Sequence, residues 1–399
     1  MYRKRARNRR RPGSAGNLRG RFQPWSFLFA LALASLCGCS STPDPVPNYH
    51  EYAYISNGGS ATVTVVDLRS LTIHHTVPVG KSPTGVTANP RKNEIYVANT
   101  DSNNISVIDA ESNKVAATIG VQRGPFFVDV SADGKHAFVA NSGSANLSVI
   151  DLDQRKVIKT IATGNGSNLA RVTPDGKLVV VALYDEDAVA LVDTASLTLR
   201  AKVKACAKPV ELGVVPDSSK VFVACSQSRQ VGVVDLKEPK LLAQLDVGQT
   251  PVHIAVKPDG GEVFVTNYDA SSISEIITGP NEVNNTFLIG DRPVNALVSP
   301  DNSLLYVVNF GSDSVAIYSI DTGKRTGSVE VGSRPEAMAF SPNQYMLLVV
   351  NTGSGDLSVL SLIDRKGRPL FPKPPSLETM IPLGKDPRAI AVKAFVSQK

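Results

Sequence analysis

The sequence predicts an all-β protein: an eight-bladed β-propeller of four-stranded antiparallel blades, closed by strands from both termini. Three observations carry this. A short apolar core recurs eight times, beginning at Tyr54, Tyr96, Phe138, Val180, Phe222, Phe264, Tyr306 and Leu348, each 42 residues after the last. A constant period of this size is the mark of a propeller or solenoid. Each unit contains four short runs rich in Val, Ile, Phe and Thr, separated by turn residues, with no room for a helix between them. Finally, the two ends of the repeat complement each other.

The unit beginning at Pro251 shows the pattern. "PVHIAV" is the first strand, "PDGG" a turn, "EVFVTN" the second strand; "ISEII" and "TFLIG" follow as the third and fourth. Labelling these strands A to D, the core at Tyr54 has no A strand before it, and the last A strand, "PRAIAVKAF" from Pro387, has nothing after it. Joining them completes the eighth blade and removes two exposed sheet edges. The propeller is thereby expected over residues 52–396. Only the last blade breaks the period: Gly332 and Gly384 stand 52 residues apart because "DRKGRPLFPKPPS", residues 364–376, is inserted.

The chain has 399 residues and a formal charge of +6, but nine of its 42 basic residues lie within residues 1–38, which hold no acid. The rest carries 33 basic against 36 acidic side chains. The alkaline balance belongs to the leader, and a nucleic-acid partner is not expected on that ground. The leader's apolar run "WSFLFALALASL" is too short to span a bilayer and reads as a signal peptide. Its end, Leu36-Cys37-Gly38-Cys39, resembles the lipobox of bacterial lipoproteins. The resemblance implies that residues 1–38 are removed and that Cys39 is lipidated, with Ser40 resembling the outer-membrane type; ordinary secretory cleavage nearby is the alternative. Residues 39–51, with "SSTPDPVP", read as a Pro-rich tether.

The cores Tyr96-Val-Ala-Asn99 and Tyr306-Val-Val-Asn309, the Pro-Asp-Gly turns and the "SVID" strands resemble the YVTN-repeat β-propeller family, which includes the YncE-like proteins. The resemblance spans about residues 52–396 and implies a secreted or surface-attached propeller. It implies no single activity, because the fold hosts many.

Function is sought where the copies differ. The aspartates ending strand C (Asp67, Asp109, Asp151, Asp193, Asp235) recur with the period and read as turn residues, as do the core asparagines. Cys206 and Cys225 stand in one unit where other copies usually carry Gly and Asn, towards the same end of the blade. A disulfide between them is the favoured reading in an oxidising compartment; two separate small buried residues is the other. The second residue after each strand-A proline should approach the channel axis. There Glu211, His253 and Asn295 follow one another, and two residues deeper Asp129 and Arg171 come from adjacent blades. Such groups could bind a ligand or a metal or do acid–base work, although polar packing between blades would use the same residues. The D-to-A connections carry Lys81, Arg123, Lys208, Arg292, Arg334, Lys385 and Arg388, expected around one mouth of the channel. The unit from Asn165 to Asp187 lacks the proline and the core Asn, and Asn165, Asn168, Tyr184, Asp185 and Glu186 join the candidates.

The expectation is a monomeric, envelope-anchored binding module at the outer membrane, facing the periplasm or the exterior. Its partner would be an envelope protein, a polymer or a small anionic ligand, with no cofactor, no metal site and no catalytic motif. A redox or cofactor propeller of d1-haem or quinone type, using His253, is the alternative. A lactonase-like hydrolase with Glu211 and His253 beside a metal is a third class.

Overall fold

The computed structural model describes residues 47–371 and 373–397. The leader, Cys39 and most of the tether lie outside these residues. Among the described residues no helix is long and apolar enough to cross a membrane.

Eight four-stranded antiparallel sheets stand around an axis. The first blade contains β1 (Tyr49–Asn57), β2 (Thr62–Asp67), β3 (Thr72–Pro78) and, innermost, the last strand β32 (Pro387–Val396), so the two ends of the chain close the ring. The second blade is β4 (Pro83–Ala88) to β7 (Lys114–Gly120), and the third β8 (Pro125–Val130) to β11 (Lys156–Ala162). The fourth runs from β12 (Ser167–Val172) to β15 (Thr198–Lys204), the fifth from β16 (Pro209–Val214) to β19 (Lys240–Asp246), and the sixth from β20 (Pro251–Val256) to β23 (Glu282–Leu288). The seventh runs from β24 (Pro293–Val298) to β27 (Lys324–Glu330) and the eighth from β28 (Pro335–Phe340) to β31 (Ser376–Pro382).

The second and third strands of each blade are covered on both sides by neighbouring blades. That burial explains why they read as nearly continuous apolar runs, such as Ile95–Ala98 and Val179–Leu183, instead of alternating. The hydrophobic core is accordingly a ring of clusters, most of them bridging neighbouring blades: Tyr96 and Val107 pack with Val128 and Val139, and Phe222 with Ile254 and Val265. The fourth strand is the solvent edge, exemplified by β3, where His74 and His75 are exposed.

The strand-C aspartates act as turn residues. Asp109 accepts from the Ser112 N–H at 2.7 Å, and Asp151, Asp193 and Asp235 repeat the bond.

Two faces result. The D-to-A loops and B-to-C turns form one, called here the rim face. The A-to-B and C-to-D turns, the 364–376 insertion, and the outer ends of both β1 and β32 form the other, the turn face.

Candidate functional site

A clip closes every blade at the rim. The N–H after the core motif donates to the carbonyl of the residue before strand A: Thr100 to Ser82 at 3.1 Å, Ser142 to Gly124 at 3.0 Å, and Phe310 to Arg292 at 3.0 Å. The accepting residue is left-handed each time, including Lys208, Arg292 and Arg334 with φ of 59°, 51° and 49°. Asn99 then donates across the turn to Ser106 at 2.9 Å, and Asn57, Asn141, Asn267 and Asn351 make the same bond to a Thr or Ser. A Cβ on Gly80 would stand 2.6 Å from the Asn99 Cβ, which is why the loop carries Gly there.

The fifth blade replaces this contact. Cys206 takes the glycine position and Cys225 the asparagine position, and their Sγ atoms lie 2.02 Å apart with Cα atoms 5.7 Å apart. A third change accompanies them. Gly232 stands where five of the other blades carry the hydroxyl acceptor, the fourth and seventh having Ala190 and Ala316, and a Cβ there would approach the Cys206 Sγ to 3.3 Å. In the fourth blade the polar pair becomes Leu183 and Ala190, both fully buried.

Below the rim, each inner strand begins with a register slip opposite its partner, for example between Pro125 and Phe127 and between Pro251 and His253. A β-bulge re-aims the residues that follow it, here those that reach the channel. Arg171, Glu211 and His253 line one recess of about 270 Å3 over an apolar floor of Val214, Ile254 and Val256. The Arg171 Nη2 donates to the Glu211 Oε1 at 3.2 Å, with side chains 30% and 16% exposed. Its guanidinium lies 4.3 Å from the centre of the Phe127 ring, a cation–π contact. The Glu211 Oε1 also accepts from the Leu212 N–H at 3.1 Å.

Asp129 is near Arg171 but forms no ion pair with it. Its two oxygens accept from the backbone N–H groups of Val130 (3.0 Å) and, across the blade boundary, Val172 (2.9 Å). The expected face-to-face pair is thus an Arg171–Glu211 pair, with Asp129 turned back onto the backbone. Burial pushes the Asp129 carboxyl up, opposed by Arg171 and by those two N–H groups. The His253 Nδ1 accepts from the Ala296 N–H at 3.3 Å. A backbone N–H can only donate, so the neutral ring carries its proton on Nε2. Burial pushes the His253 pKa down, with Glu211 opposing. Asn295, the next residue in the series, has a buried Oδ1 without a protein partner and stands outside the recess.

The remaining wall is small and largely apolar: Ala337, Ala389 and Gly85 hold the equivalent positions. Among the described residues no three His, Cys, Asp or Glu side chains converge as a metal-binding set.

The rim cations are placed around the mouth but do not act alike. Lys208 pairs with Asp185 at 3.2 Å and sits 4.6 Å above the Tyr184 ring; Arg388 pairs with Asp386 at 2.7 Å. Glu186 accepts from the Asn165 N–H at 2.8 Å and from Lys202 at 3.0 Å. The irregular turn of the fourth blade is therefore an ion-paired clasp on its neighbour, and Tyr184 and Asp185 lie at the rim, away from the recess. Asn168 reaches only the Pro209 carbonyl, at 3.5 Å. Arg123 lines an open cleft with Asp185 and Asn165, while Arg123, Arg292, Arg334, Lys81 and Lys385 form no ion pair among the described residues.

Sequence reasoning missed Phe127 as the stacking partner of Arg171, and Gly232. Both had a faint signal: each is the only residue of its type in its column of the repeat.

The YncE-like β-propeller family profile matches residues 87–168 and 158–399, more than half of the chain. No curated protein matches. Among solved structures, the chain is similar to the Kuenenia stuttgartiensis hydrazine synthase, at 20% identity over 70% of this chain and 95% of that one, with a TM-score of 0.57. It is also similar to the dihydro-haem d1 dehydrogenase NirN in complex with DHE, at 15% identity over 85% and 74% of the two chains, with a TM-score of 0.70. A functionally unknown protein from Desulfotomaculum acetoxidans DSM 771 matches at 16% identity over 86% and 98%, with a TM-score of 0.59. At these identities the likeness is one of fold. The profile match and the eight closed blades agree: this chain belongs to the YncE-like β-propeller family.

Proposed function

We propose that this protein is a lipid-anchored binding propeller of the bacterial envelope that takes a small anionic ligand in its channel, against Arg171. The observation that carries the reading is the state of that arginine. A guanidinium has five donors in a fixed fork. Arg171 has one hydrogen bond, to Glu211, and is braced by the Phe127 ring where it lines a concave recess. A carboxylate or phosphate would engage the remaining donors, and the Nε2–H of His253 supplies one more in the same recess. Glu211 would select against bulky polyanions and accept from a hydroxyl or amine on the ligand.

The recess, at about 270 Å3, lies below the roughly 300–1,000 Å3 usual for drug-sized ligands. That favours a small acid over a tetrapyrrole, and the d1-haem alternative has only the shared fold of NirN behind it. A metal-assisted lactonase would need a donor set that Glu211 and His253 do not complete. Lipidation at Cys39, removal of residues 1–38 and outer-membrane placement belong to the same proposal, supported by the lipobox resemblance.

A thermal-shift panel of inorganic phosphate, succinate and citrate at low and raised salt tests the reading. Wild-type protein is expected to be stabilised saturably by at least one probe, and Arg171→Ala to lose that response. Equal stabilisation of both proteins, or no response to any probe, would overturn it.

A further inference from the structure

The insertion in the eighth blade has no counterpart in the other seven. It leaves β30 (Asp356–Ser361) on the turn face and rejoins at β31. Its start is ordered by a hairpin-like turn: Ile363 bridges Pro369, and Arg368 pairs with Asp364 at 2.7 Å. Its end rests on the seventh blade, where a Cβ on Gly327 would stand 3.1 Å from Pro374. Between these fixed points the loop exposes Arg365, Lys366 and Lys373, which form no ion pair among the described residues, and Phe371, which is 46% exposed. Lys324 and Arg325 open the neighbouring β27 on the same face, also exposed; the acids nearby are Asp321 and Glu378 in sequence and Asp301, which lines the same cleft as Phe371.

We propose that this insertion is a membrane-contacting loop, which lays the turn face on an anionic lipid surface with Phe371 entering the headgroup region. Three features favour a bilayer over a protein occupant. Cations flanking an exposed aromatic are the composition of an interfacial anchor. The ring's chain enters at Tyr49 on this same face. Only nine residues separate Tyr49 from Cys39, and the ten steps between their Cα atoms reach at most about 36 Å. A lipidated Cys39 would therefore hold the turn face, not the rim, within reach of the bilayer. The rim face, with the mouth of the channel, would point away from it. The orientation rests on the lipidation reading; the affinity of the loop does not.

The test uses unlipidated protein starting at Ser40, which retains all 32 strands, in co-sedimentation with phosphatidylcholine vesicles with and without phosphatidylglycerol. Wild-type protein is expected to pellet with phosphatidylglycerol-containing vesicles and to be released by salt. R365E, K366E and K373E should each lower the partition coefficient by more than five-fold, since each reverses a charge whose loss alone is worth about 1 kcal/mol, and Phe371→Ser several-fold. R292E with R334E, on the opposite face, should leave it unchanged. All these positions are exposed, and a thermal melt confirms that each variant folds. Equal partition onto both vesicle types would overturn the proposal, as would loss with the rim variant. So would a Phe371 effect without any charge effect, which would make the contact simple apolar adsorption and leave Phe371 to the cleft that it lines with Tyr306, Phe340 and Tyr345.

Discussion

Two sectors of one ring can be compared strand by strand. From the seventh blade round to the second, every core ends in Asn, every rim loop carries the matching Gly, and the channel positions read Asn295, Ala337, Ala389 and Gly85. From the third to the sixth, the channel positions read Phe127, Leu169, Glu211 and His253, two apolar and two titratable, with Asp129 and Arg171 below. The two blades that abandon the Asn clip, the fourth and the fifth, lie in this second sector. All eight blades share four antiparallel strands and a register slip at the opening of the inner strand, so packing alone does not require the difference. The regular sector shows what the scaffold needs; the irregular one shows what has been added to it.

The largest test of that division is the fifth-blade clip. Cys206→Ser with Cys225→Ser should cost about 3 kcal/mol in denaturant unfolding without reductant, since the pair closes a loop of some 19 residues. Installing the regular sector's solution, Cys206→Gly with Cys225→Asn and Gly232→Ser, should restore more than half of the loss. A wild-type midpoint for the double serine variant would mean that the fifth-blade clip adds no stability, and no recovery in the replacement variant would mean that the two clips are not equivalent devices.

Next in size is Arg171→Ala, expected to cost about 1–3 kcal/mol because Glu211 is left without its cation in a mostly buried site. Adding Glu211→Gln should recover part of this, and strictly additive losses would remove the pairing from the account.

His253 gives a smaller, pH-dependent effect. Its folded pKa is depressed by burial, so the folded state binds fewer protons than the unfolded one. Its share of stability is present above the unfolded value of about 6.5 and is lost as pH falls below it. The thermal midpoint should fall between pH 7 and 5 more steeply for wild type than for His253→Asn; parallel profiles would contradict the assignment. The smallest effect belongs to the rim: Arg334→Ala should move stability by no more than about 0.5 kcal/mol, and a larger drop would give that exposed side chain a structural role.

Much of this was legible in the sequence because a period turns each residue into a comparison with seven others. The 42-residue spacing and the orphan strands at Tyr54 and Pro387 specified the blade count and its closure. The Cys pair stood out because Cys206 and Cys225 depart from their columns together. What the period could not supply was side-chain reach. Arg171 has carboxylates on both sides, Asp129 and Glu211, and its choice depends on where backbone N–H groups already hold Asp129. The register slip that opens each inner strand was equally hidden, since one extra residue in a strand leaves the period untouched. The insertion was visible as a break in spacing, but its exposed Phe371 and the cleft behind it depend on where the loop folds back.

The central claim is that the irregular sector binds and the rim does not. Calorimetric titration of the best anionic probe into wild type, Arg171→Ala and Arg388→Ala tests it directly. The account predicts that Arg171→Ala weakens binding at least ten-fold, about 1.4 kcal/mol, while Arg388→Ala leaves it unchanged. The reverse order, or an equal loss in both, would contradict it and move the site to the mouth.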